Sequence, residues 1–245
     1  MVDYYVFTDK GERDNNEDYV GFDANPSNNE YCFVLCDGLG GHGKGEVASQ
    51  LVTEAVLENY RGKSSEHWIE QAILDSQDKL IEKQKELHEV NGMKTTLVIL
   101  YINDIVAKYA HVGDSRGYYF YKNKFKERTM DHSVPQMLVA AREIKEKDIR
   151  HHPDRNRLLK VMGIEWDDDN FEIGDEIVLK YHRKHAFLLC SDGFWELITE
   201  KEMEKCLSKA SSAKEWVESM QKIVLQNGIG THMDNYSAIA VIIEE

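Results

Sequence analysis

The chain has 245 residues, 42% hydrophobic, 30% charged and 10% aromatic, which excludes a disordered or low-complexity polypeptide and suffices for one substantial core. Thirty basic against forty-four acidic side chains give a net charge of −14, which argues against general affinity for nucleic acid. No apolar run is long enough to cross a membrane and the first residues carry no secretory pattern, so a cytoplasmic chain without a membrane partner is expected.

Strand and helix signals alternate without a linker, and only three prolines occur where average usage would give about a dozen. A single domain over 1–245 is expected. Strands are predicted at 4–8 and 31–36, rich in β-branched and aromatic residues. A helix follows at 46–60, where Ala48, Leu51, Val52, Ala55, Val56 and Tyr60 share one face, and another at about 65–90 through Ile69, Ile73, Leu80 and Leu87. Further strands are predicted at 95–101, 105–112 and 117–121, with turns at Asn103-Asp104 and Asn123. Residues 131–163 differ in character, with short helical pieces and charges, as in a flap over the main body. Strands at 177–179 and 187–190 follow, then a helix lined by Trp216, Met220, Ile223 and Val224, and a last strand at 237–243. Meander-like strand runs with helices before, between and after them suggest α+β layers more than βαβ alternation.

Acidic residues recur where apolar strands end. The strand at 31–36 runs into Asp37-Gly38-Leu39-Gly40-Gly41-His42, that at 187–190 into Ser191-Asp192-Gly193, and that at 105–112 into Gly113-Asp114-Ser115-Arg116. Asp234-Asn235 precedes the final strand, and Arg13 and Asn16-Glu17-Asp18 lie upstream. Any one such Asp reads as a turn-former or helix cap. Four in the same arrangement need another account: if the strands pair side by side, their carboxylates meet on one rim and repel. Divalent cations resolve that repulsion, and all-oxygen ligands suit Mg²⁺ or Mn²⁺ more than Zn²⁺. Two such ions can activate a water. Arg13 offers a permanently charged fork for phosphate, and His42, among glycines, can protonate a leaving alkoxide.

In this order the motifs, with Asp131-His132-Ser133, resemble the metal-dependent protein phosphatases, the type 2C serine/threonine phosphatases, and most of all their compact bacterial members. The match runs from Gly11 to the last strand. The resemblance implies a four-layer α-β-β-α sandwich, two antiparallel sheets flanked by helices. It implies a pair of tightly bound Mn²⁺ or Mg²⁺ ions with a hydroxide between them that attacks phosphoserine or phosphothreonine. Asp37 would bridge the ions, the Gly38 carbonyl would bind one, and Asp192 and Asp234 would hold the other. Glu17 and Asp18 would act mostly through water, Arg13 would bind phosphate and His42 would be the general acid. Asp114 with Asp192 would hold a weak third ion, and 131–163 would be the family's flap. Implied partners are phosphoproteins, including a Ser/Thr kinase and its substrates; a monomer is expected.

Three positions depart from the family pattern: Lys94 before Thr95-Thr96, Arg142 in the flap and Glu196 after Ser191-Asp192-Gly193. None is a primary ligand, so they bear on substrate preference and flap mobility. Alternatives are a phosphoesterase for small phosphomonoesters and a pseudophosphatase adaptor; the second predicts a lost ligand, and none is lost. Bland readings suit the rest. The cysteines at 32, 36 and 190 lie in apolar runs and read as core. Asp167-Asp168-Asp169 reads as a solvated turn, His151-His152 lacks metal spacing, and the tryptophans read mostly as core. Asp114 itself could be a turn residue capped by Ser115 and paired to Arg116.

Overall fold

The computed structural model describes residues 2–40, 44–63, 67–89, 92–166, 170–180 and 182–244. Strands β1 (Val2–Asp9), β2 (Asp18–Asn25) and β3 (Glu30–Leu39) lead into helices α1 (Gly45–Arg61) and α2 (Trp68–Leu87). Strands β4 (Lys94–Thr95), β5 (Leu97–Ile102), β6 (Val106–Val112), β7 (Arg116–Tyr121) and β8 (Lys124–Arg128) follow. The flap segment holds α3 (Val134–Ala140) and a 3-10 turn at Glu146–His151. Then come β9 (Glu172–Ile173), β10 (Ile177–Val178), β11 (His185–Cys190), α4 (Asp192–Trp195), α5 (Glu200–Leu207), α6 (Ala213–Gly228) and β12 (Tyr236–Ile243).

The strands make two antiparallel sheets. One runs β1-β12-β11-β7-β8 and the other β10-β6-β5-β3-β2, with β4 on β3 and β9 on β6. Their central strands are buried on both faces, which explains why β3, β5, β11 and β12 read as continuous apolar runs. Period-2 alternation sorts those runs. Tyr31, Phe33 and Leu35 of β3 meet Phe187, Leu189, Ile239 and Val241 between the sheets. Cys32, Val34 and Cys36 face the other way, against Val52, Val56 and Ile73 of α1 and α2. On the opposite side Leu188, Ala238 and Ala240 pack on Trp216, Val217 and Met220 of α6. The fold is therefore an α-β-β-α sandwich, the expected α+β class.

Local differences from the sequence expectations have physical causes. Strand β2 was not predicted because Gly21, Asp23 and Asn25 depress strand propensity; pairing with β3 along its whole length overrides that. Strand β8 is a charged edge strand, and α5 opens on a Thr199/Glu202 capping box that the sequence displays. The strand expected at 95–101 is broken at Thr96 into β4 and β5. All four cysteines are free and buried. Trp68, Trp195 and Trp216 are core as expected. The acidic turn at 167–169 and His42 lie outside the described residues.

Candidate active site

Carboxylates at four strand ends converge on one rim if the strands pair side by side, and the sheets meet that condition only in part. Strands β11 and β12 are neighbours in one sheet, whereas β3 and β6 belong to the other and are separated by β5. The carboxylates meet across the open edge of the sandwich. There Glu17, Asp37, Asp114, Asp192 and Asp234 line one cavity of about 640 Å³, together with Arg13 and Gly38. Asp18 sits beneath them, 5% exposed.

Each of these residues is held by a specific local device. Asp18 opens β2 directly opposite Asp37 in the antiparallel register. The Asp37 peptide is gripped from both sides: Thr96 Oγ1 accepts from its N–H at 2.9 Å, and its carbonyl accepts from Thr96 N–H and Thr95 Oγ1 at 2.8 Å each. Gly38 passes so close to α1 that a Cβ would lie 2.3 Å from the Gly45 carbonyl oxygen, so only glycine fits. Its N–H donates to the Glu17 carbonyl at 3.0 Å. Gly113 turns at φ +98°, in the left-handed region, to place Asp114 at the rim.

Asn235 ties the N-terminal loop to this edge. Its Oδ1 accepts from Glu17 N–H at 2.8 Å, and its Nδ2 donates to the Lys10 and Asn15 carbonyls at 2.9 Å each. Arg13 Nη2 donates to Asp234 Oδ2 at 2.6 Å while its side chain stays 59% exposed at the cavity. Asn156 and Leu158 bring the flap segment to the same cavity wall.

Asp114 does follow β6 in a bend, but the pairing with Arg116 expected of a turn residue there is not made. Arg116 pairs with Asp131, bidentate at 2.6 and 2.8 Å, and both side chains are buried. Ser115 Oγ contacts Thr96 Oγ1 at 2.7 Å and so joins the Asp114 loop to the grip on Asp37. Thr96, Ser191, Asn235, Asn156 and Leu158 are the contributors that sequence reasoning left without a role. The adjacent Thr95-Thr96 and Asp234-Asn235 were visible as pairs, and their side-chain hydrogen bonding was the missing signal.

The electrostatics record the crowding. Burial, then the charges of Asp18, Asp192, Asp114 and Asp234, hold the Asp37 carboxyl well above the ordinary carboxylate range. Burial and Asp192 do the same to Asp114. Asp192 is pushed up to about 7 by burial and by Glu196 and Asp234. Asp18 is pushed up to about 7 chiefly by burial, against the nearby Ser237 hydroxyl and the Ser191 hydrogen bond, which favour its ionised form. Ser191 Oγ donates to Asp18 Oδ2 at 2.7 Å, yet Asp18 Oδ1 is buried with no partner. An orphaned buried carboxylate oxygen within an all-oxygen cluster fits a bound hard cation.

A second group, His111, His132 and Glu172, brings possible ligand atoms within 4.8 Å of one another. The two imidazoles are stacked, 15° between planes and 4.5 Å between centroids, so their in-plane lone pairs run alongside each other and do not converge. His111 Nε2 lies 2.7 Å from the Met130 carbonyl, and His132 Nδ1 faces the Gly113 N–H at 3.2 Å. Burial lowers the pKa of both rings, with His132 pushed down to about 3. The pair packs the base of the flap against the Asp114 loop.

The protein phosphatase 2C family matches residues 10–234. Serine/threonine phosphatase stp of Listeria welshimeri is 32% identical over 216 residues, covering 85% of this chain and 84% of that protein. The structure of serine/threonine phosphatase Stp1 from Staphylococcus aureus superposes with a TM-score of 0.87 at 31% identity, over 100% of this chain and 96% of that one. The catalytic domain of PstP in complex with two manganese ions shares the fold, with a TM-score of 0.82 at 23% identity over 99% of both chains. With that architecture, these motifs and this agreement, the chain belongs to the protein phosphatase 2C family of serine/threonine phosphatases.

Proposed function

We propose that the acidic edge of the sandwich hydrolyses phosphoserine and phosphothreonine in proteins with the help of two Mn²⁺ or Mg²⁺ ions, residues 1–245 acting as one catalytic domain. The observation that carries this reading is the single cavity walled by Glu17, Asp37, Asp114, Asp192 and Asp234, with the orphaned oxygen of Asp18 beneath it. Asp37, the Gly38 carbonyl, Asp192 and Asp234 would hold the ions, with Glu17 and Asp18 contributing mostly through water. Asp114 with Asp192 would take a weaker third ion. Bound there, the ions supply an activated water and neutralise charge on the phosphoryl oxygens.

The chain's own groups do the remainder. Arg13 reaches from the N-terminal loop into the cavity and binds the phosphoryl group. Its present partner Asp234 holds the guanidinium at the rim in the meantime. His42 donates the proton to the departing serine or threonine oxygen. Thr96 and Asn235 keep Asp37 and Glu17 in place, which limits the reorganisation needed at the moment of reaction.

A protein substrate suits the surface better than a small phosphomonoester. A second groove of about 720 Å³ opens beside the cavity, shares Arg13, Asn156, Asp192 and Asp234 with it, and gives a polypeptide room beyond the phosphorylated residue. We place the enzyme in the cytoplasm, as a monomer, opposing a Ser/Thr kinase. Phosphate release from a phosphothreonine peptide and from nucleotides, each with and without chelator, tests the reading. Metal-dependent turnover that favours the peptide is expected. Equal turnover of nucleotides would move the assignment to a small-molecule phosphoesterase, and full activity in excess chelator with no metal retained would remove the mechanism.

A further inference from the structure

Asp114 stands just before β7 and Asp192 just after β11, so the β7–β11 register, which sets Arg116 opposite Cys190, brings the two together beyond the paired ends, where no ladder hydrogen bond fixes their distance. One side chain spans the gap. Trp195 ends the single helical turn that Asp192 begins, and its indole Nε1–H donates to the Asp114 carbonyl at 3.0 Å. The ring has little freedom to swing away. It is 1% exposed, and the Arg116 guanidinium lies over it at 3.4 Å from the centroid. Arg116 is in turn locked by its two bonds to Asp131 and one to Tyr118 Oη at 3.0 Å. From below, Arg150 Nε donates to the Trp195 carbonyl at 3.1 Å.

We propose that Trp195 is a positioning residue that sets the separation of Asp114 and Asp192, and with it the affinity of the weak third cation site. The proposal rests on the reading of Asp114 given above. Its physical basis is that a site with few protein ligands loses affinity steeply when one ligand is free to drift, and that outer groups orienting the ligands matter accordingly. A tryptophan serves here where phenylalanine would not, because stacking on Arg116 needs only a ring whereas holding Asp114 needs the N–H. The two tighter ions depend on Asp37, Gly38, Asp192 and Asp234, and the Trp195 indole donates to none of these but to Asp114, which serves the third site alone.

The experiment is ion counting by equilibrium dialysis with Mn²⁺, on the full chain, for wild type, Trp195→Phe and Asp114→Ala. In wild type two ions are expected at low concentration and a third in the millimolar range. Trp195→Phe should keep the first two unchanged and bind the third roughly tenfold more weakly, as expected for loss of an outer-sphere contact. Unchanged third-ion affinity in this variant would overturn the proposal while leaving the site intact. A wild-type protein that takes no third ion at any concentration would instead sink the reading of Asp114, and the proposal with it. Should Trp195→Phe fail to fold, the wild-type Trp195 indole N–H resonance, followed by NMR through a Mg²⁺ titration, decides the matter. It should shift in step with the third ion and stay still in Asp114→Ala; a resonance that ignores the third ion refutes the role.

Discussion

Replacing Asp18 by asparagine should stabilise the metal-free protein at alkaline pH and destabilise it relative to wild type when metal is present. Asp18 is buried, and its carboxyl is pushed from an ordinary 3.8 up to about 7. A group whose pKa is raised by folding binds its proton more tightly in the folded state. Its stabilisation is complete below the unfolded value and is lost as pH climbs through the folded one. At pH 5 ionisation of the unfolded chain already favours unfolding by about 2 kcal/mol; at pH 8 the difference reaches about 4 kcal/mol. One residue therefore removes roughly 2–3 kcal/mol between pH 5 and 8, worth about 5–10 °C in Tm for a chain of this size. Asp37, Asp114 and Asp192 are shifted in the same direction and steepen the slope further. The amide keeps an acceptor for the Ser191 hydroxyl and cannot ionise. In chelator, thermal melts from pH 5 to 8 should show a shallower fall for Asp18→Asn, with the variant the more stable at pH 8. With saturating Mn²⁺ wild type should overtake it, since ligand at about a thousand times its Kd adds about 4 kcal/mol. A wild-type Tm that is flat or rises with pH in chelator, or parallel slopes for the two proteins, would refute the account of a crowded, desolvated edge.

Four further substitutions test separate parts of the site. Arg13→Ala should chiefly raise KM for phosphopeptide, whereas His42→Ala should slow phosphoserine turnover far more than that of an aryl phosphate; steady-state kinetics on both substrates checks this, and equal losses from His42→Ala argue against its role as the acid. Asp131→Asn leaves the buried Arg116 guanidinium without its carboxylate and should cost about 3–5 kcal/mol in urea unfolding, by the usual penalty for breaking a buried pair. Gly38→Ala should abolish tight metal binding measured by calorimetry, because its new Cβ has no room beside the Gly45 carbonyl.

The layers and most strands were legible because residues 31–36, 97–102, 187–190 and 238–243 are apolar without interruption, as strands buried on both faces must be. The acidic members of the site were legible for a related reason: Asp37 and Asp192 each follow such a run, Asp114 follows the strand at 105–112, and all three stand beside glycine. What could not be read was how they meet. Convergence across the edge between two sheets depends on strand order, and nothing local tells β3 that β5 will separate it from β6. The partners of Arg116 were misplaced for the same reason. Its neighbour in sequence, Asp114, is two residues away, but its neighbour in space is Asp131, brought in when the flap base folds back along β7. Strand β2 went unseen because Gly21 and its polar residues resemble a loop, although it carries Asp18 into register with Asp37.

That register bears on why the edge is built as it is. Asp18 and Asp37 face each other across an antiparallel pair, an arrangement that costs stability between like charges. A fold selected for stability alone would place one partner of opposite sign there. Among the described residues Arg116 is committed to Asp131 and Arg155 to Glu196 at 2.9 Å, while Arg13 pairs with a member of the rim. The rest of the negative charge is left for something from outside the chain. The same residues that make the edge unfavourable by itself thus make it a strong site for small, highly charged cations. The surrounding hydrogen bonds from Thr96, Ser191 and Asn235 hold the carboxylates against their mutual repulsion. Rigidity in those supports is what lets repulsion be converted into metal affinity instead of being relieved by side chains turning away.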